Sequence, residues 1–151
     1  ENGTPRVFVD GHDVTEAIRT PELTKQIHFL DENAEVRARL VELQQIEGAK
    51  GPTVAEGRDM GTVVFPKAKC KVYMDASLEE RARRRVAELE AKGKTVDYEK
   101  EREAMRIRDQ KTMTREVSPL RRADDAVLLD TSSMTLDEVV DRVVTLARAV
   151  L

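Results

Sequence analysis

Residues 71–93, KVYMDASLEERARRRVAELEAKG, read as one strand followed by one capped helix. Residues 71–75 alternate weakly between polar and apolar, as a half-buried strand does. Ser77-Leu78-Glu79-Glu80 has the spacing of a capping box, in which a hydroxyl and a carboxylate satisfy the free amides at a helix start. Beyond it Leu78, Ala82, Val86 and Leu89 share a face, and Gly93 marks the stop. Strand, cap and helix make a βα unit. Residues 126–130 form another apolar strand, and Thr135-x-x-Glu138 opens an amphipathic helix carrying Val139, Val140, Val143 and Leu146. Strands alternating with helices predict an α/β fold with a parallel sheet and helices on its faces.

Toward the N-terminus, residues 6–10 (RVFVD) read as a strand, and Asp10-Gly11 as a turn into a second extended piece near Val14. Asn2-Gly3 is a hairpin dipeptide with no strand ahead of it, so the chain is expected to begin mid-motif. Residues 22–46 have a helical pattern with Val36, Leu40 and Leu43 on one face, ended by EGAKGP. Residues 53–55 read as a buried strand, and 63–65 as a short apolar piece closed by Pro66. Residues 97–115 are helical in composition and so charged that little of that helix can be buried.

With 151 residues the chain suits one domain with a real core. Charged residues make up 36% of it, both signs interspersed, with a net charge of −3, so no global field points to nucleic acid or a membrane surface. Any anionic ligand must be met locally. One cysteine, Cys70, forms no internal disulfide; an apolar run of about 18 residues and a secretory leader are both missing from the sequence. A cytoplasmic protein is expected.

Two clusters of charge carry chemistry. In VAEGRDMGTVVFP, residues 54–66, Glu56-Gly57-Arg58-Asp59 follows directly on the strand expected at 53–55, and open α/β sheets bind ligands beyond the carboxyl ends of their strands. Gly57 and Gly61 allow close approach of backbone, Arg58 offers a fork of donors suited to phosphate, and Asp59 a pair of acceptors. A surface turn whose Arg and Asp pair with each other competes with that reading. In the second cluster Arg108, Lys111 and Arg115 stand at i, i+3 and i+7, with Arg106 nearby, the spacing of one helix face. A solvated charged face competes here.

The stretch VAEGRDMGTVVFPKAKCKVYMDASLEERARRR, the spacing of Arg108-Asp109 and Arg115, and the SPL that follows closely resemble bacterial cytidylate kinases, over nearly the whole chain. The resemblance implies a P-loop nucleoside monophosphate kinase fold: a parallel-sheet core, an inserted domain that binds the monophosphate, and an arginine-bearing lid. Residues 1–50 would be the CMP-binding insertion, 51–93 core βα units, 94–118 the lid, and 119–151 the last core strand and helix. The implied reaction moves the γ-phosphate of ATP, with Mg²⁺, to CMP or dCMP. Arg58 would hold the CMP phosphate, while Arg37 and Asp59 face the cytosine ring. Arg108 and Arg115 would close over ribose and phosphates as catalytic cations. Arg84 and Arg85 would help around the nucleotides, with pairing to Glu80 or Glu88 an equal alternative. No metal ligand is expected on this chain, and a monomer is expected.

Three features depart from the resemblance. A strand followed by a GxxxxGK[ST] loop, which cradles the donor phosphates, is not in this sequence; EGAKGPT at 47–53 has the wrong spacing and precedes a strand. Thr112 stands where an aspartate would reach the ribose. His28 stands where a small hydroxyl residue would touch the base, a choice against an ordinary helix histidine. A fragment of a complete kinase is therefore expected, inactive by itself, with a non-catalytic nucleotide-binding module as the alternative.

Overall fold

A computed structural model describes residues 5–31 and 33–150. The Asn2-Gly3 pair lies outside the described residues. The centre is a parallel pair, β3 (Val72–Asp75) and β4 (Val127–Asp130), in register from Val72 opposite Val127 to Asp75 opposite Asp130. Two helices, α4 (Leu78–Ala91) and α5 (Tyr98–Thr114), form the connection between the strands, and α6 (Leu136–Arg148) follows β4. Ala82 and Leu89 of α4 and Leu129 of β4 are buried, which matches the apolar face legible in the sequence.

The caps explain where these helices begin and end. Ser77 Oγ accepts from the Glu80 amide at 3.2 Å, but the Glu80 carboxylate does not return to Ser77. It binds Arg83 and Arg84 instead, and the Ser77 amide donates to Ser132 Oγ at 2.9 Å. The box expected at Ser77 is thus half formed, because charged partners one turn along compete for its carboxylate. At α6 both halves are present: Thr135 Oγ1 accepts from the Glu138 amide, and Glu138 Oε2 accepts from the Thr135 amide at 2.7 Å. Gly93, at φ +73°, ends α4 with Lys94 N bonded to Leu89 O and Gly93 N to Glu90 O, a left-handed termination that glycine enters without a Cβ penalty.

Before the core, β1 (Phe8–Val9) and β2 (His12–Asp13) form an antiparallel hairpin. Its turn residues Asp10 and Gly11 both have positive φ, the geometry that Asp-Gly favours. The helix expected over 22–46 is three pieces, α1 (Pro21–Gln26), α2 (His28–Asp31) and α3 (Ala34–Gly48). Ile27 separates α1 from α2, and Asn33 makes the second break: its backbone is extended, and its side chain accepts from the amides of Glu35 and Val36, both at 3.0 Å. A side chain that caps a new helix cannot sit inside a continuous one.

One expectation between α3 and β3 is corrected. Residues 53–55 are not a strand; Val54 is 100% exposed, and among the described residues no strand pairs with this segment. Extended backbone without a ladder partner is only extended chain. Residues 63–65 fall in and after a wide helical turn, Met60–Val64, closed by a Phe65 N to Met60 O bond of 2.7 Å. Val64 is 1% exposed, and Gln45 Nε2 of α3 donates to its carbonyl at 2.8 Å. Gly48 lets the Phe65 ring lie against α3, since a Cβ there would come within 2.7 Å of it.

Candidate functional site

The loop carrying Glu56-Gly57-Arg58-Asp59 runs into the Met60–Val64 turn and is fixed by Asp59 from both its backbone and its side chain. The Asp59 carbonyl accepts from Val63 N at 2.8 Å and Val64 N at 3.2 Å. Its carboxylate, 6% exposed, is ion-paired through Oδ2 to the guanidinium of Arg37, on the first turn of α3 and 14% exposed. The residue as a whole is buried. Arg37 Nε is buried without a hydrogen-bond partner among the described residues. The surface turn in which Arg58 pairs with Asp59 is therefore not what forms: Asp59 reaches α3, and its neighbour reaches elsewhere.

Arg58 Nη1 donates to Thr112 Oγ1 of α5 at 2.8 Å. Thr112 is buried, and its hydroxyl donates in turn to the Arg108 carbonyl at 2.8 Å. Adjacent residues thus strap the loop between two helices, Asp59 to α3 and Arg58 to α5. Of the residues singled out from the sequence, the structure gathers Arg37, Arg58, Asp59 and Thr112 around this loop.

The arginine face of α5 is corrected at its end. Arg115 is not on the helix: it is the C-cap, with extended backbone at φ −65° and ψ 146°. Its Nε donates to Ser118 O at 2.6 Å, and Leu120 N returns to Thr112 O at 3.0 Å. Arg108 is exposed, and among the described residues no acceptor holds its side chain. Arg84 Nε meets Glu80 at 2.9 Å and its Nη2 meets Thr131 O at 2.5 Å, while Arg85 meets Glu88 at 2.9 Å. Both have protein partners, as the ion-pair alternative has it. The His28 side chain lies outside the described part of the structure.

Sequence reasoning missed the crosslinks between α4 and α5. Arg81 pairs with Asp109, and Arg102 with Glu79 at 3.0 Å. A hydrogen bond to its own backbone amide, then the Arg102 guanidinium, holds the Glu79 carboxyl below its ordinary value. Neither pair has a local spacing that would reveal it. An open cleft of about 440 Å³ follows this seam, lined by Arg81, Arg106, Asp109 and Met113 among others. Arg58 and Asp59 do not line it, and its two arginines are already paired with Asp109 and Glu103. The residues singled out from the sequence gather at the loop, not at the cleft.

What the loop offers is cationic donors, one buried carboxylate and an orphaned N–H. That set suits a polar anion with an edge of mixed donors and acceptors. Among the described residues no three His, Cys, Asp or Glu side chains are grouped to hold a metal ion. No helix among them is long and apolar enough to cross a membrane.

A parallel strand pair connected through helices makes this an α/β protein, and the family whose model it matches has the P-loop kinase fold. More narrowly, the chain belongs to the cytidylate kinase family, whose model matches residues 1–149. It is similar to the cytidylate kinase of Enterococcus faecalis, 49% identical over 140 residues, covering 93% of this chain and 62% of that protein. The cytidylate kinase of Desulfitobacterium hafniense is 48% identical over 141 residues (93% and 61%), and that of Bacillus subtilis 47% over 138 (91% and 62%). The chain thus spans about 62% of the length of such relatives.

Proposed function

We propose that this chain is the acceptor-binding and lid portion of a kinase that moves the γ-phosphate of ATP to CMP or dCMP, giving CDP or dCDP. The observation that carries this is the buried Arg37·Asp59 pair with its orphaned Nε, next in sequence to the phosphate-suited Arg58. Cytosine presents an exocyclic amine beside a ring nitrogen and a carbonyl. The Asp59 carboxylate accepts from the amine, and Arg37 donates to the acceptors. Uracil would turn a carbonyl toward Asp59, leaving two acceptors facing each other in a buried place, a mismatch of about 1–3 kcal/mol.

Arg58 holds the acceptor phosphate, and the exposed Arg108 together with Arg115 neutralises charge on the transferring group as the lid closes. Residues 1–50 and 94–118 act as acceptor-binding insertion and lid around the core of 51–93 and 119–151. ATP supplies the phosphoryl group with Mg²⁺ as its counter-ion. The glycine-rich phosphate loop that cradles ATP in P-loop kinases has no counterpart among these residues. By this account it belongs to the part of the full-length protein that this chain does not span.

A coupled ADP assay tests the proposal. The full-length protein phosphorylates CMP and dCMP, and the 151-residue chain alone transfers nothing. Absence of CMP-dependent ADP formation by the full-length protein would leave a nucleotide-binding module without catalysis.

A further inference from the structure

We propose that Thr112 is a positioning residue, which holds the Arg58 guanidinium in place through a neutral hydroxyl, and that it does not contact the ribose. The inference rests on the role in phosphate binding proposed for Arg58.

A threonine hydroxyl has one proton and two lone pairs. The Thr112 proton goes to the Arg108 carbonyl one turn back, at 2.8 Å, a back-bond that fixes the side-chain rotamer against the helix. With the rotamer fixed, a lone pair faces the loop and accepts from Arg58 Nη1 at 2.8 Å. The proton is then committed and one lone pair taken, so the hydroxyl keeps a single lone pair that a ribose hydroxyl would have to reach. Only 5% of the residue is exposed, which leaves little surface for a ribose to touch.

The chemistry of the acceptor matters as much as its place. Asp59 neutralises Arg37, as a cation reading an uncharged base requires. The Thr112 hydroxyl orients Arg58 and adds no negative charge, so it does not compete with a phosphate for the cation. The bond joins residues 54 apart in sequence, so the lid helix and the phosphate-binding loop share one fixed point.

The test uses the full-length protein and four variants at this position and its partner. Thr112→Val keeps the shape and removes the hydroxyl. KM for CMP is expected to rise about tenfold, with kcat changing less than about threefold. Thr112→Ser, which keeps the hydroxyl, is expected to restore KM to within about twofold, and Thr112→Ala to resemble Thr112→Val whatever its melting temperature. The ratio of kcat/KM for CMP and dCMP is expected to stay constant throughout, because no ribose contact is lost. An unchanged KM in Thr112→Val, failure of Ser to rescue, or a shifted CMP to dCMP ratio would each overturn the inference. Arg58→Ala separates the two levels: if it leaves KM unchanged, the phosphate role of Arg58 falls. If it raises KM while Thr112→Val does not, only the positioning role falls.

Discussion

Replacing Asp59 by alanine is expected to cost about 3–5 kcal/mol of stability, because it strands the Arg37 cation in a place with little water. The magnitude follows from burial: the two side chains are 6% and 14% exposed, and Arg37 Nε already lacks a partner among the described residues. Removing the carboxylate leaves the guanidinium without its counter-ion. For a chain of this size 1 kcal/mol moves the melting temperature by about 2–4 °C, so a fall of roughly 6–20 °C is expected. Asp59→Asn keeps an acceptor for the Arg37 guanidinium and should lose less than Asp59→Ala, because the buried cation keeps one hydrogen-bond partner although not its counter-ion. Arg37→Met with Asp59→Ala removes both charges, and the double variant should be no less stable than Asp59→Ala alone. Thermal and urea unfolding of the two single variants and the double variant close the cycle. Additive losses, within about 0.5 kcal/mol, would show that the pair has no energetic coupling and refute the reasoning.

Arg115→Ala should lower kcat by about 10³-fold, as loss of an arginine finger does, and Arg115→Lys should not restore it; a kcat within about twofold of the parent would remove Arg115 from the catalytic lid. Its bond to Ser118 O makes a stability loss of about 0.5–1.5 kcal/mol the accompanying expectation, read by thermal unfolding. Leu129→Ala, in the buried face of β4, should cost about 2–5 kcal/mol in urea unfolding, and a loss below about 1 kcal/mol would mean that β4 is not core. Hydrogen bonds from the Thr135 amide and hydroxyl hold the Glu138 carboxyl below its ordinary 4.5. A depressed carboxyl stabilises above its unfolded value and loses that contribution as pH falls through the folded one. Glu138→Gln should therefore lower the melting temperature at neutral pH and converge with the parent as pH falls through the depressed folded value, below 4.5; a constant difference contradicts the cap.

What was legible in the sequence is what is decided locally. The Asp10-Gly11 turn, the β3–α4 unit with its stop at Gly93, and the capped α6 each depend on residues within a few positions of one another. The strand expected at 53–55 failed because a strand is made by its neighbour, and apolar composition does not supply one. The single helix over 22–46 failed at Asn33, whose capping oxygen satisfies the next amides and so restarts the helix. At the site, resemblance to a family pointed to Arg37, Arg58, Asp59 and Thr112, but no spacing announces that Arg37 meets Asp59 across 22 positions or Arg58 meets Thr112 across 54. Arg115 was placed on the face of α5 by its i+7 spacing, which holds only while the helix continues.

The central claim is that the loop of Arg58 and Asp59 reads cytosine and holds its phosphate. The most direct measurement is kcat/KM for CMP and for UMP in the full-length protein, parent against Asp59→Asn. The account predicts that the parent favours CMP by about tenfold or more, and that Asp59→Asn narrows the ratio because its amide can donate to the uracil carbonyl. A CMP to UMP ratio unchanged by Asp59→Asn would contradict it.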